Sequence, residues 1–523
     1  MRRQLAIIFA VGAVILGSGV ISAAAAVTGS DSRVHTYRVQ VIDIDRDGRT
    51  VDDGAAAAQV IGGVGQYFTN QAGVLRLPAG TWVISADIET MGSGDQFVSQ
   101  TLATAVRAVR SSLTITLDAR SGKAVTSALA VPGAVEQDRT GTVCATLPDG
   151  YVAPVMWAGP LYGYGLSHPV PLYAVPVTSK YLQFNYATQF AGPVGMYYVN
   201  AEADGRVPAA PKYSFSPSDL AKVTVEQKTG TTVGGPGGWQ IGPGSSCNDY
   251  GFDLDPGDTA SRLTQYVSAG KWAVSLLNAD CGSDTWLRSY ARGHSYLDVF
   301  GAAVRGPIYE LPIAEQNHLY FEPVGLLGDP NQSGISDCAT VSTTLKSGTT
   351  IVKRSSTRTM AQFSARIRHT GWYDLTVDAT QRPPAGVAAA PLSTRVVLSW
   401  HAYIGRQLLQ YGTLPVTLAR FEPQGLDMAN DAAPGGHTVT RMYLNRIGTF
   451  GIRPVLHALR TVKIAVSVDD GRTWRELPVT RKRGYWAVVI PDPVHGYVSL
   501  RSTVTDVRGN STVETIYRAY GVS

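Results

Sequence analysis

The chain has 523 residues, enough for three or four domains, and carries a formal net charge of only +5 at pH 7 with 16% charged residues. No basic run is long enough to point to nucleic acid, so the charges read as a solvated surface. Glycine is abundant at 55 residues and helical periodicity is scarce, so the expected class is all-β, with several antiparallel β-sandwich domains in series after a signal peptide.

Residues 1–26 have the pattern of that signal. Arg2 and Arg3 precede an apolar run over 5–21, and the small residues at 22–26 offer cleavage sites of the A-x-A kind. Cleavage is favoured over a retained anchor. No later run has the length of a membrane helix, and the chain ends at Ser523 with neither a hydrophobic tail nor a wall-sorting sequence. The mature protein is expected to be secreted, without a membrane span.

Residues 34–119 read as a small sandwich. Residues 37–42 alternate, 73–84 read as two strands joined by a Pro78-Ala79-Gly80 turn, and 112–117 read as a closing strand. Gly73, Leu75, Leu77, Pro78, Gly80 and Trp82 form a G-x-L-x-L-P-x-G-x-aromatic pattern that resembles the carboxypeptidase-regulatory-like, transthyretin-like family. Asp43, Asp45 and Asp47 precede Gly48 with the spacing of a calcium loop, since carboxylates on alternate residues converge where the chain turns. Gly54 stands where an EF-hand needs a bidentate glutamate, and the loop follows a strand, so an acidic hairpin turn is the favoured reading.

Residues 120–135 read as a linker, and 136–385 as a β-rich region of one or two sandwiches. Strands are predicted over 181–186, 196–199, 371–377 and 393–400, a hairpin over 266–276, and a loop over the glycine-rich stretch 230–244. Ser216 and Pro217 start a short helical turn. Cys144, Cys247, Cys281 and Cys338 suggest two disulfides in an exported chain. Three pairings are open; the nested one, Cys247 with Cys281 and Cys144 with Cys338, is preferred because a shorter loop then closes inside a longer one. Asp249, Asp253 and Asp255 form a second calcium candidate, weighed against a polar loop held by a disulfide. Trp157, Tyr162, Tyr164 and Trp239 lie near glycine-rich turns and are candidate binding aromatics, weighed against the more usual fate of sandwich core. No cofactor is expected, calcium being the single candidate cation.

The C-terminal region, 386–523, ends in the most patterned stretch of the chain. Residues 466–468 form a short strand before a tight Asp469-Asp470-Gly471 turn; apolar runs over 485–490, 498–504 and 512–520 complete a small antiparallel sandwich. Ser467, Asp469, Asp470, Gly471, Thr473 and Trp474, followed by Ser499, Leu500, Arg501, Asp506, Gly509, Asn510, Arg518, Ala519 and Tyr520, resemble the C-terminal Ig-like module of secreted subtilisin-like serine proteases of actinobacteria. Leu117 to Arg120 is similar to a segment of the same proteins' accessory regions. The resemblance implies accessory modules without the protease domain.

The sequence carries no recognisable catalytic motif. The HGT and GTSMA segments of subtilisin-like proteases do not occur, Gly165-Leu166-Ser167-His168 lacks the second glycine of a nucleophile elbow, and no H-E-x-x-H occurs. The expected function is therefore secreted and non-catalytic, binding or spacing at the extracellular surface, with a protein or polysaccharide partner. A hydrolase with a site in the middle region, or a partner or inhibitor of a secreted protease, is the alternative.

Overall fold

A computed structural model describes residues 35–523 except 52–55, 62–65, 70–72, 94–96, 160–169, 234–237, 249–250, 254–261, 278–280, 308–311, 323–324, 330–331, 337, 358–361, 416, 449–450 and 455–458. The signal segment lies outside the described residues. The chain is all-β, built of largely antiparallel sheets, several with a parallel pair, packed face to face.

In the first sandwich Thr36–Ile44 pairs with Thr50–Val51 and Val74–Pro78, and in parallel with Leu113–Asp118. The opposing sheet contains Ala56–Ile61, Gln66–Phe68, Gly80–Met91 and Phe97–Val109. Period-2 alternation puts Val39, Val41, Leu75, Leu77, Ile115 and Leu117 into one core. Val74–Pro78 and Gly80–Met91 are not hairpin partners: the chain crosses between the sheets at Ala79. Gly80–Met91 is covered on both faces. Trp82 and Ile84 enter the first core, whereas Val83 joins a second cluster with Leu182 and Phe184 of the next unit. A strand covered on both faces needs an unbroken apolar run, which is what residues 82–84 supply.

This sandwich does not close at residue 119. Lys123–Ala124 and Leu172–Ala174 extend its second sheet, the latter running parallel to Phe97–Val109. The predicted linker also holds the strand Thr126–Leu129, paired with Lys212–Phe215.

The second unit has a seven-stranded sheet facing a five-stranded one. The stretch read as a hairpin over 266–276 is instead two strands in opposite sheets. Arg262–Ser268 belongs to the larger sheet and Gly270–Leu277 to the smaller, and Gly270, at φ +140°, makes the crossing. The predicted glycine-rich loop contains a strand, Trp239–Pro243, paired with Gly270–Leu277. The turn at Pro217–Asp219 forms as expected, with the Ser216 amide donating to the Asp219 carboxylate.

The disulfides are sequential rather than nested: Cys144 joins Cys247, and Cys281 joins Cys338. Strand register explains the second. Gly282 stands opposite Ser336 in an antiparallel pair, so Cys281, one residue beyond it, and Cys338, two beyond Ser336, come within a Cα–Cα distance of 4.9 Å. Cys338 leads directly into Ala339–Ser347, so this bridge ties the second unit to the third.

The third unit contains a nine-stranded sheet whose inner strands are, in order, Ala339–Ser347, Gly371–Gln381, Arg395–Ile404, Ser511–Val522, Gly496–Asp506 and Leu459–Ser467. One buried cluster runs from Ala303 to Val522. Residues 385 and 386, the anticipated boundary, join two adjacent strands of this sheet. The junction with the second unit is polar and sealed. Arg305 and Asp284, both buried, form a two-point ion pair at 2.6 and 2.9 Å. Asn430 donates to the carbonyls of Thr229 and Gly301 and accepts from the Ala303 amide.

Candidate functional site

The acidic loop after the first strand is a turn. Asp45 Oδ1 accepts from the amides of Asp47 and Arg49 at 2.9 and 2.8 Å, the side-chain-to-backbone closure of an Asx turn. Asp47 faces Arg49 at 3.3 Å. Asp43 points inward, its Oδ1 has no hydrogen-bond partner, and burial pushes its pKa up to about 6. No three metal-ligating side chains converge among the described residues. Asp249, Asp255 and the Asp253 side chain lie outside them.

The candidate aromatics separate. Trp239 is buried in the core, edge-on to Phe300 at 4.9 Å between ring centres, and cannot serve as a surface platform. Trp157 is 58% exposed, on the edge strand Val152–Ala158. Tyr162 and Tyr164 lie outside the described residues.

An aromatic group that was not among the candidates stands on the outer face of the nine-stranded sheet. In Gly371–Gln381, Tyr373, Leu375 and Val377 face the core; in Arg395–Ile404, Val396, Leu398, Trp400 and Ala402 do. Alternation therefore turns Trp372, Asp374 and Thr376 outward beside Tyr403, His401 and Ser399, their register partners. The indole of Trp372 lies flat on the His401 imidazole, with centres 4.6 Å apart and planes 3° from parallel, and meets Tyr403 edge-on. His401 Nδ1 is 2.7 Å from Asp374 Oδ1; since a carboxylate only accepts, Nδ1 carries the proton and donates. Trp372 is 39% and Tyr403 47% exposed. Gly509 makes room for the far edge of the indole, for a β-carbon there would stand 3.3 Å from it.

The next register position beyond His401 is Ser511. Aspartate, histidine and serine thus share one row, the residue types of a hydrolytic triad. Among the described residues no hydrogen bond joins His401 to Ser511. Sequence reasoning missed the whole group because its members come from separate strands, and only register brings them together.

The chain matches no family model and no curated relative. Among solved structures it is similar to the Bacillus anthracis TIE protein (8% identity, covering 51% of this chain and 50% of that one). It is also similar to the chicken CNTN1 FN1-FN3 domains (8%; 54% and 91%) and to Escherichia coli alpha-2-macroglobulin activated by porcine elastase (9%; 92% and 53%). The TM-score is 0.13 in all three, too low to carry an argument. The chain spans about half the length of the Bacillus anthracis protein, 50%.

The patterned C-terminal stretch proves to be scaffold. Asp469 accepts from the Thr473 amide and hydroxyl and from the Ser467 hydroxyl, which hold its pKa down to about 2. Asp470 forks onto Arg518 at 2.9 Å on both oxygens. Gly471 has φ +82°, and the Trp474 indole donates to its carbonyl. Asp506 takes the amides of Arg508 and Asn510, and the Tyr520 hydroxyl donates to buried Asp492. Each motif residue is engaged within the fold.

Proposed function

We propose that this is an exported, non-catalytic protein of accessory type that binds an extracellular polysaccharide through the outer face of its nine-stranded sheet. The observation that carries this reading is the exposed Trp372–His401–Tyr403 group beside Asp374, Thr376 and Ser399. An aromatic surface offers an apolar platform to the C–H face of a sugar, and the carboxylate and hydroxyls beside it accept and donate to sugar hydroxyls. Two buried disulfides support an oxidising compartment. No helix among the described residues is long and apolar enough to cross a membrane. The tail motif supports descent from the accessory modules of subtilisin-like proteases.

Affinity electrophoresis of the full chain through gels loaded with soluble neutral polysaccharides tests the reading. Retardation by at least one polymer is expected, lost in Trp372→Ala and Tyr403→Ala and kept in Trp157→Ala. Equal retardation of all four proteins would remove the site.

One observation favours a second reading, an extracellular hydrolase: the Asp374–His401 pair with Ser511 next in register. Against it, the indole stacked on His401 blocks one face of the ring, and Trp372 and Tyr403 beside it are 39% and 47% exposed, whereas oxyanion stabilisation uses a water-excluding site. Ester hydrolysis abolished by Ser511→Ala would reverse the preference.

A further inference from the structure

We infer that the hollow at the edge of the third unit, beside Arg366 and Arg368, is a binding site for phosphate groups. It is separate from the aromatic face and does not depend on the polysaccharide reading.

The site follows from alternation. Phe363, Ala365 and Ile367 are buried, so Arg366 and Arg368 both turn outward, roughly 7 Å apart along the chain. The Ile367 amide donates to the Asn317 carbonyl at 2.7 Å, which holds this edge in place past the end of its strand. An open hollow of about 550 Å³ lies beside it, lined by both arginines together with Lys353, His369 and the hydroxyl-bearing Ser347 and Thr350. A second hollow of about 430 Å³ is lined by the same two arginines and Asn317. The parts are held in place. Lys353 Nζ donates to the Ser364 carbonyl at 2.6 Å, and the Tyr373 hydroxyl anchors the His369 carbonyl at 2.7 Å. Ser347 and Thr350 close a two-residue turn with Gly348 at φ +58°.

Charge is the decisive feature. No carboxylate lines either hollow among the described residues. Glu315 is two strands from Arg366 in register, with His318 between them. Elsewhere arginines meet acids: Arg305 meets Asp284, Arg288 meets Asp298, and Arg518 meets Asp470. The side chains of Arg366 and Arg368 have neither an ion pair nor a hydrogen bond among the described residues. Cations gathered around one concavity raise the local potential and attract anions. A guanidinium fork matches two oxygens of a tetrahedral oxyanion, and two forks with an ammonium match its charge. A lone carboxylate would satisfy one arginine and leave the other unmatched. The competing account is that these charges only guard an exposed sheet edge against pairing.

Calorimetric titration of the full chain at low ionic strength, with inorganic phosphate and separately with poly(glycerol phosphate), decides between them. Both ligands are expected to bind, and the double variant Arg366→Gln/Arg368→Gln is expected to weaken each at least tenfold with an unchanged melting temperature. Arg354→Gln, on the neighbouring edge strand, is expected to leave binding as it is. Tighter binding of the polymer would identify chain-borne phosphate as the ligand, and equal affinity per phosphate would identify the free anion. The assignment is overturned if the double variant retains wild-type affinity or if the wild type binds neither ligand.

Discussion

The turn at 469–473 and the Trp372–His401 face belong to the same nine-stranded sheet, yet their polar groups do opposite things. In the turn, Asp469 is occupied by Thr473 and Ser467, and Asp470 by Arg518. On the face, the Asp374 side chain meets only His401 among the described residues, and the aromatic rings lean on one another with large parts open to solvent. The turn has a spelled motif because the partners of Asp469 lie within four residues and each must have a given shape, although Asp470 reaches Arg518, 48 residues on. The face has none because its members come from separate strands. A legible motif in a sandwich thus marks backbone geometry, and a binding surface leaves a fainter trace.

That contrast can be broken by substitution. The largest loss of stability is expected where a buried charge is stranded. Arg305→Met removes the guanidinium that neutralises buried Asp284 and is expected to destabilise by about 3–5 kcal/mol in chemical denaturation. Glu514 gives the next effect. It is fully buried, Oε2 accepts from the Ala419 amide, Oε1 has no partner, and burial lifts its pKa from 4.5 to about 8. The folded state therefore holds a proton that the unfolded chain releases. Its contribution is fully present below about pH 4.5 and is lost as pH rises through about 8, with a slope of up to about 1.4 kcal/mol per pH unit. Melting temperatures from pH 4 to 9 are expected to show that decline, and Glu514→Gln to flatten it.

Within the turn, Gly471→Ala is expected to cost about 1–3 kcal/mol, since the residue has φ +82° and the added β-carbon would stand 2.5 Å from the Tyr517 ring. On the face, Trp372→Ala is expected to abolish polysaccharide retardation while changing stability by under about 1 kcal/mol. A large loss of stability there would make the face scaffold like the turn. The smallest effect is expected from Asp470→Asn, under about 1 kcal/mol by thermal melting, because its pair with Arg518 is solvent-exposed.

Much of the strand content was legible. Residues 37–42, 181–186, 371–377 and 498–504 alternate in the sequence and lie in strands. Pairing was far less legible. Residues 73–84 and 266–276 each resemble a hairpin, but in both the chain passes from one sheet to the other, because a single glycine or alanine between two apolar runs permits a crossing as readily as a turn. The same ambiguity hid the candidate site. Residues 372–376 announce that alternate side chains face water, and nothing local states that His401 will be the neighbour of Asp374.

Sequence alone thus determined the all-β class and many strand positions, since these depend on alternation over a few residues. Tertiary structure alone decided the cysteine pairing, the burial of Trp239 and the meeting of Trp372, Asp374, His401 and Tyr403. Each of those depends on which strands lie side by side and in what register, and that is settled only when separate apolar faces find a common core.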